Sequence, residues 1–248
     1  PFGASHAHGG MFVWAILVGS SFPAVELLSS ELPPLLLTAI RFAIAALALG
    51  PLVWRRMTLE AHGEIWPKGL SLALYAALGL CLAGFFGAMF WAAHSTTPLT
   101  MATLYVSVPL LAYALGRALK LERKAFSLLC LLALGALGAL GLAWAGSGGN
   151  TSENSPGLAE VVFFIGCLAS ASYPVLSKWG LNRGLLSSSA ELRTFWSLLS
   201  GSVLVGLLGL VLEDLQSLTR LNSLDLSLLL YLGVFSSAAT FYLQQRAS

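Results

Sequence analysis

The sequence predicts an all-α integral membrane protein with eight transmembrane helices. Hydrophobic residues make up 57% of its 248 positions and charged residues 10%, whereas about a quarter of an ordinary soluble domain is charged. The tract from Gly69 to Gly116 runs for 48 residues without Asp, Glu, Lys or Arg, enough for two spans of about 20 residues and a turn. This composition argues against a soluble enzyme. The net charge of +2 gives no reason to expect nucleic acid as a partner.

The first five predicted spans cover residues 11–29, 34–54, 69–92, 98–117 and 125–145. Each is an apolar run of membrane length bounded by charges, proline or Gly-Ser clusters. The first is not a cleavable signal peptide, because no Lys or Arg precedes it and the run is too long for a signal core. The fifth carries Gly135, Gly138 and Gly141 at every third position, a spacing that allows helices to pack closely.

The last three predicted spans cover residues 157–178, 193–212 and 226–245. They follow the stretch 147–156, SGGNTSENSP, which is polar and rich in turn-forming residues. This stretch predicts an external linker between a first half, residues 1–146, and a second half, residues 157–248.

Basic residues divide unequally between the two membrane faces that these spans define. Eleven of the 13 lie on one face. If one span had been missed or wrongly added, the basic residues would not divide so unequally between the faces. Because Lys and Arg are retained on the cytoplasmic side, the division predicts a cytoplasmic N-terminus. The eleven are Arg55, Arg56, Lys68, Arg117, Lys120, Arg123, Lys124, Lys178, Arg183, Arg193 and Arg246, and the other two are Arg41 and Arg220.

The two halves repeat short patterns in the same order at a nearly constant offset. The first half contains five helices, an odd number, so the second half is predicted to be inverted relative to the first. In inverted-repeat transporters the substrate site lies near the membrane midplane between the halves. The paired segments are 20–23 with 170–174, 40–41 with 192–193, and 74–79 with 230–233. The offsets between their last residues are 151, 152 and 154.

The repeat also predicts that the chain is a piece of a longer protein. Its eighth span ends where, in the first half, two more spans follow, and Pro1 stands in place of an initiator Met. We therefore expect ten helices in the parent protein, arranged as two inverted five-helix repeats, with eight of them present here.

Five segments carry a resemblance to a known family: WAILVGSSFP at 14–23, LPPLLLTAIRFAIAA at 32–46, ATLYVSVPLL at 102–111, LKLER at 119–123 and LGALG at 134–138. With these motifs the chain resembles the EamA-type transporters of the drug/metabolite transporter superfamily. The second half matches more loosely. The resemblance implies export or exchange of small metabolites, amino acids or drugs, driven by an ion gradient or by the substrate gradient.

Three ionisable residues are candidates for binding or coupling. Glu26 lies about one turn from the external end of the first span, where a carboxyl group is a candidate proton or cation site or a solvated rim carboxylate. Arg41 lies seven residues beyond Pro34, so its guanidinium could hold a substrate carboxylate or pair with Glu26. Arg193 is its counterpart at the opposite mouth. Either arginine could instead reach headgroups or bond the end of a neighbouring helix.

Aromatic, hydroxyl and proline residues within the spans complete the candidate set. Aromatic rings lining a cavity would suit organic substrates, and packing or lipid contact is the alternative. A proline inside a span frees a carbonyl and permits a kink, and a nearby serine could bond that carbonyl or a substrate. The aromatic candidates are Trp14, Phe22, Trp91, Tyr105 and Tyr173, the serines are Ser20, Ser21 and Ser172, and the prolines are Pro23, Pro109 and Pro174.

The sequence predicts neither a cofactor nor a metal ion. Cys81, Cys130 and Cys167 lie singly in apolar tracts, and His62 and His94 have no partner at ligand spacing. The expected partners are a small-molecule substrate and the lipid bilayer, while protons as coupling ion and a homodimer stay open. Short loops favour a bacterial inner membrane.

Two other functions compete with this interpretation. A sugar-phosphate or nucleotide-sugar exchanger of the same superfamily would need several Lys or Arg at midplane depth, and only Arg41 approaches that depth. An intramembrane enzyme would need a nucleophile with a base, a metal cluster or paired carboxylates within the spans. The sequence contains no such pattern, so the transporter is favoured.

Overall fold

The computed structural model describes residues 2–29, 31–59, 66–93, 95–121, 129–135, 137–138 and 157–247. The described part is helical and contains no strand. Its α-helices are α1 (Phe2–Glu26), α2 (Pro34–Leu59), α3 (Leu70–Ala92), α4 (Pro98–Tyr105), α5 (Val108–Ala118), α6 (Leu158–Asn182), α7 (Ala190–Leu212), α8 (Ser223–Gly233) and α9 (Thr240–Ala247). A 3₁₀ helix at Leu215–Arg220 precedes α8, and a π-helix at Val234–Ala239 joins α8 to α9.

Six helical segments of the described residues are long and apolar enough to cross a membrane. They confirm an all-helical membrane protein. The first predicted span appears as a shorter apolar segment, Phe12–Glu26, within α1. The fifth, 125–145, lies mostly outside the described residues, with only 129–135 and 137–138 seen as helix. The six are Pro34–Arg56, Leu70–Ala92, Pro98–Ala118, Leu158–Asn182, Ala190–Leu212 and Ser223–Gln245.

Proline breaks one span and leaves two others continuous. Pro109 is the second residue of α5, and the chain turns at Val106 and Ser107 between α4 and α5. Because proline has no N–H, the helical bond to the Tyr105 carbonyl four residues earlier is lost. The Ser107 hydroxyl donates to the neighbouring Leu104 carbonyl at 2.6 Å. Pro23 and Pro174 lie inside unbroken helices, so the predicted local break forms only at Pro109.

Helices α2 and α7 pack side by side in opposite directions. Arg56 at the end of α2 approaches Glu191 at the start of α7, with 3.6 Å between their charged atoms. At the other end, the carboxylate of Glu213 accepts the backbone N–H groups of Leu35 and Leu36, each at 2.8 Å. Those N–H groups have no partner within their own helix, and the positive end of the helix dipole favours the carboxylate. The two helices are therefore fixed to each other at both ends.

The two ends of this helix pair define two faces of the molecule. The basic face is the end at which α2 and α6 finish and α7 begins, and it carries Arg55, Arg56 and Arg183. The acidic face is the opposite end, with Glu213 and Asp225. These two names are used below without any assumption about which face is cytoplasmic.

Glycines allow α3 to approach α7 at backbone distance. A methyl group on Gly79 would lie 2.4 Å from the backbone nitrogen of Gly201, far inside van der Waals contact. The predicted packing role of Gly135 and Gly138 is different, because no described atom lies within 4 Å of a methyl group placed on either. Gly141 lies outside the described residues. The close approach therefore occurs between the third and seventh predicted spans, for which no such packing was predicted.

The last span is a composite helix made of α8, the π turn Val234–Ala239 and α9. Its start is fixed by a capping box, in which the Asn222 side chain and Asp225 bond each other's backbone N–H groups. The sequence predicted one regular helix at 226–245. The π turn in its middle is a correction to that prediction, and single π turns within helices are frequent at functional sites.

Candidate functional site

The deepest charged group of the described residues is Arg41 in α2. It is the eighth residue of the helix, about 10 Å below the first at 1.5 Å per residue. Its solvent exposure is 0%. A buried charge in a membrane protein is costly and is normally compensated by a partner. The partners of Arg41 therefore decide what the residue does.

The partners of Arg41 come from the π turn of the composite helix. Its Nε donates to the Ser237 hydroxyl at 2.7 Å, and its Nη2 donates to the Ser236 hydroxyl at 2.9 Å and, more weakly, to the Ser236 carbonyl at 3.5 Å. The guanidinium carbon lies 3.9 Å from the centre of the Phe86 ring, within the range of a cation–π interaction. Two hydroxyl groups and one aromatic face are thus its main compensation.

One nitrogen of this guanidinium is left over. Nη1 of Arg41 is buried and makes no hydrogen bond with the described residues, although it carries two N–H groups. The described carboxylates that form ion pairs, Glu31 and Glu191, do so with other arginines. The predicted pairing with Glu26 is not what the structure shows, since Arg41 bonds serines and Glu26 is exposed at the end of α1. Arg41 is therefore a buried cation with an unused donor edge.

A small cavity lies beside two side chains that contact this guanidinium. It has a volume of about 10 Å³, close to that of one water-sized sphere. Phe86 and Ser236, which contact the guanidinium, also line the cavity. Its lining comes from α1, α3, α4 and the composite helix, and consists of Trp14, Val18, Ser21, Phe85, Phe86, Tyr105, Ser236, Thr240 and Phe241. Helices of both predicted halves thus enclose the space, which is closed in this conformation.

A chain of aromatic rings runs past the cavity. Phe85 lies 5.2 Å from Tyr105 and 4.8 Å from Phe86, measured between ring centres. Phe241 continues the chain, 5.8 Å from Phe86 and 5.5 Å from Tyr173. Phe22 contacts Tyr105 at 5.6 Å from the other side. Most of these pairs meet edge to face, the arrangement that the ring quadrupole favours.

Arg193 lies near the basic face and differs from Arg41 in its bonding. Its Nε donates to the Gln245 side chain at 2.8 Å, and its Nη2 donates to the Gln245 carbonyl at 2.7 Å. Its Nη1 donates to the carbonyls of Ser187 and Ser188, both at 2.8 Å. Every nitrogen of this guanidinium is therefore occupied. Arg193 ties the end of α9 to the loop between α6 and α7.

The candidate serines are distributed over different tasks. Ser20 shares a 2.6 Å hydrogen bond with the Tyr231 hydroxyl and so links α1 to α8. Ser21 lines the cavity and donates to the Val18 carbonyl at 2.6 Å. Ser172 donates to the Leu168 carbonyl of its own helix at 2.8 Å. Only Ser21 therefore has a direct place at the cavity.

The structure separates several predicted site residues from the cavity. Trp91 is 40% exposed and lines an apolar groove on the outer surface near the acidic face. Pro23 and Pro109 are exposed, and neither they nor Pro174 line the cavity. Tyr173 reaches the site through its ring contact with Phe241. Its buried hydroxyl lies near Gln245 and Ser197 but makes no hydrogen bond of ordinary geometry among the described residues. Trp14, Ser21, Phe22, Tyr105 and Arg41 are the predicted residues that do come together.

Sequence reasoning missed the residues that complete the site. Phe85 and Phe86 lie in a span that is apolar throughout, so no pattern singles them out. Ser236, Ser237 and Gln245 interrupt the eighth predicted span with polar groups, and this signal could have identified them. Polar side chains within a span mark functional or packing contacts.

Comparisons with known proteins agree with the fold and with the resemblance in the sequence. The model of the EamA-like transporter family matches residues 7–144, which is more than half of the chain. No curated protein matches it significantly. A solved crystal structure has a TM-score of 0.69, with 20% sequence identity over 97% of this chain and 78% of the other. That likeness concerns the fold alone. The family match shows that the chain belongs to the EamA-like transporter family of multi-pass membrane proteins.

Proposed function

We propose that the chain transports small organic solutes, such as metabolites, amino acids or drug-like compounds, by alternating access between two inverted repeats. The observation that carries the proposal is the closed, aromatic-lined cavity beside the buried guanidinium of Arg41, enclosed by helices of both halves. Inverted-repeat transporters place their substrate site in such a position. Neither a cofactor nor a metal ion is part of this proposal.

The antiparallel packing of α2 and α7 supports the inverted repeat. These helices are the second spans of the two halves, and they hold Arg41 and Arg193, which correspond in the sequence. Ion pairing at one end and capping by Glu213 at the other fix them in opposite directions. Equivalent helices that run in opposite directions are what an inverted repeat requires.

Hydrogen bonds join the two proposed halves near both faces. On the acidic face, Asp225 accepts the backbone N–H and the hydroxyl of Ser29 at 3.0–3.1 Å. On the basic face, the Tyr75 hydroxyl accepts the backbone N–H of Ser187 at 3.1 Å. Alternating access would open one of these sets while the other stays formed. The structure then corresponds to a closed intermediate between the two open states.

The distribution of basic residues supports an orientation. Most described Lys and Arg side chains lie on the basic face, whereas Arg220 lies on the acidic face. The positive-inside rule makes the basic face cytoplasmic. We therefore propose a cytoplasmic N-terminus and location in a bacterial inner membrane. Proton coupling through Glu26 and a homodimer stay predictions.

The sugar-phosphate exchanger is less well supported. A phosphate group would call for several cations at the site. Arg41 and Arg193 are the two buried cations of the described residues, and every nitrogen of Arg193 is already occupied. One guanidinium is therefore available to a ligand.

Transport is tested with the purified full-length protein in liposomes. The vesicles are loaded with a mixture of amino acids, organic acids and cationic drugs, and uptake or exchange of each compound is followed by mass spectrometry. We expect saturable flux of at least one compound, at least tenfold lower in Trp14→Ala, which changes the cavity wall. Trp54→Ala is the matched control, because Trp54 is exposed on α2. No saturable flux across the panel would refute transport.

The inverted repeat is tested by single cysteines in a chain whose native cysteines are replaced. Leu27 follows α1 and Asn182 ends α6, the first helix of each half, and both are exposed. Inverted repeats place these two ends on opposite faces, so an impermeant maleimide should label Leu27→Cys and Asn182→Cys from opposite sides. Gln216→Cys, in the loop after α7, should be labelled from the same side as Leu27→Cys. Labelling of Leu27→Cys and Asn182→Cys from one side would overturn the repeat.

Proton coupling is tested separately at Glu26. If its carboxyl carries the coupled proton, Glu26→Gln removes the dependence of uptake on a pH gradient and leaves exchange intact. Its exposed position at the end of α1 allows the substitution without disturbing the core. Unchanged dependence on the pH gradient would reject the role.

A further inference from the structure

The unused donor edge of Arg41 carries information about the substrate. A buried guanidinium normally satisfies its N–H groups, because an unpaired buried polar group costs free energy. Nη1 has no partner among the described residues, and the fully satisfied Arg193 shows that this fold can occupy every nitrogen of a guanidinium. The lack of a described partner for Nη1 of Arg41 is therefore a local feature of the site.

We propose that Arg41 receives the carboxylate of a small organic monoacid whose apolar or aromatic body lies among the rings of the adjoining cavity. This inference rests on the proposed function, because it names the substrate class of the same site. The anion would bond Nη1 while Ser236 and Ser237 keep Nη2 and Nε in place. The planar fork of a guanidinium matches the two oxygens of a carboxylate.

The single positive charge at the site favours a substrate with one carboxylate group. The cation at this depth is a single one among the described residues, and no described carboxylate pairs with it. One carboxylate neutralises it, whereas a dianion would bring an uncompensated charge into the membrane interior at high cost. A cationic solute would be repelled by the guanidinium. A neutral solute would leave its charge uncompensated.

The surroundings select an apolar body. Phe86 faces the guanidinium on one side, and it also lines the cavity with Phe85, Tyr105 and Phe241. Ser21, Tyr105, Ser236 and Thr240 are the hydroxyl groups of the same lining. Ser21 and Thr240 each donate to a carbonyl of their own helix, and Ser236 accepts from Arg41. Few free polar groups remain for a hydroxylated body such as a sugar. The cavity of about 10 Å³ must expand to admit the ligand, which requires movement of the helices that line it.

Matched pairs of probes test the charge requirement. Phenylacetate is compared with phenylacetamide and with phenethylammonium, and 3-methylbutanoate with 3-methylbutanamide. Binding to the purified full chain in detergent is followed by intrinsic tryptophan fluorescence and by thermal denaturation. We expect each acid to bind at least tenfold more tightly than its amide, since a hydrogen bond to a charged group is worth that factor or more. Chloride is titrated alone as a further probe.

Two substitutions assign the preference to Arg41. Arg41→Gln should abolish the preference for the acid over the amide, while Arg41→Lys should keep the preference with weaker binding, because lysine retains the charge and loses the fork. Arg220→Gln is the matched control, since Arg220 is exposed and pairs with Glu31 at the acidic face. Thermal denaturation in the absence of probes checks that each variant is folded. If Arg41→Gln does not fold, Arg41→Lys decides the test.

The outcomes separate this inference from the proposed function. Equal binding of acid and amide, an unchanged preference in Arg41→Gln, or a response to chloride alone would overturn the carboxylate site. Saturable flux of solutes that carry no carboxylate would leave transport standing without this site. Carboxylate binding without any flux would support the site and refute transport. If none of the probes binds and no solute is transported, both proposals fail.

Discussion

Arg41 and Arg193 occupy corresponding places in the two halves of the proposed repeat, yet they are bonded in opposite ways. Arg193 donates four hydrogen bonds of 2.7–2.8 Å, three of them to backbone carbonyls. Arg41 relies on two serine hydroxyls and the face of Phe86, and its Nη1 is left without a described partner. The backbone carbonyls that accept from Arg193 give its guanidinium a structural role. The hydroxyls and the ring around Arg41 leave part of its guanidinium available to a ligand.

The two arginines hold the same composite helix at two places. Arg193 bonds Gln245 near its end, and Arg41 bonds Ser237 in its π turn. Eight residues separate the two contacts, about 12 Å along a helix. The helix is therefore anchored firmly at the basic face and more loosely at the cavity, where a substrate has to enter. In the proposed repeat, Arg193 thus has a structural role, while Arg41 is available for binding.

The largest expected effect comes from replacing each arginine by methionine. Arg193→Met leaves the carbonyls of Ser187, Ser188 and Gln245 without their donor, and we expect a loss of about 3 kcal/mol in the free energy of unfolding. Arg41→Met removes a charge that is poorly compensated, so its loss should be about 1 kcal/mol or less. Reversible unfolding in mixed micelles, followed by tryptophan fluorescence, measures both. Equal losses would break the contrast between the two arginines.

The next largest loss of stability is expected at Gly79 and Gly233, which also correspond in the proposed repeat. A methyl group on Gly79 would meet the backbone of Gly201 at 2.4 Å, whereas one on Gly233 would meet the Ile44 side chain at 2.6 Å. A side chain can shift more easily than a backbone, so we expect a loss of about 2 kcal/mol for Gly79→Ala and about half of that for Gly233→Ala.

Gly19→Ala is the matched control for this pair. Nothing lies within 4 Å of a methyl group at that position, so its stability should be unchanged or slightly raised. The same unfolding measurement applies. A larger loss for Gly233→Ala than for Gly79→Ala would show that the contact of α8 with α2 is the more rigid of the two.

The third prediction compares two buried tyrosine hydroxyls near the basic face. The Tyr75 hydroxyl accepts the Ser187 N–H at 3.1 Å, so Tyr75→Phe should lower the free energy of unfolding by about 1 kcal/mol. The Tyr173 hydroxyl lies near Gln245 and Ser197 without a hydrogen bond of ordinary geometry among the described residues, so Tyr173→Phe should leave stability unchanged or raise it. A clear loss for Tyr173→Phe would mean that its hydroxyl has a partner of real energetic value.

Much of the fold could be predicted because membrane spans follow from composition and length. Charges, prolines and polar linkers mark where spans end, and the break before Pro109 follows from its missing N–H. Arg41 stood out as a charge within an apolar run. The basic and acidic faces likewise follow from where the charged residues lie along the chain. These features are local, and a single sequence contains them.

The remaining features depend on contacts between distant parts of the chain. Ser236 lies 195 residues from Arg41, and a serine pair within a span does not reveal which helix it faces. The π turn arises where α8 and α9 pack against α2 and α1, a tertiary effect without a local signal. Phe85 and Phe86 gain their role only because α3 lies at the centre of the bundle. The sequence alone therefore does not show which distant residues contact each other.

The smallest predicted effect concerns the hydrogen bond between Ser20 and Tyr231, which joins α1 to α8. In the repeat Tyr231 corresponds to Tyr75, but its partner is a hydroxyl that also donates to the Leu17 carbonyl at 2.9 Å. Losing Tyr231 would therefore leave Ser20 satisfied, and we expect a coupling energy of about 0.6 kcal/mol, typical of such bonds in membrane proteins. A double-mutant cycle of Ser20→Ala and Tyr231→Phe measures it. A coupling above the loss measured for Tyr75→Phe would place the firmer link between the halves beside the cavity, and the looser anchoring of the composite helix there would have to be abandoned.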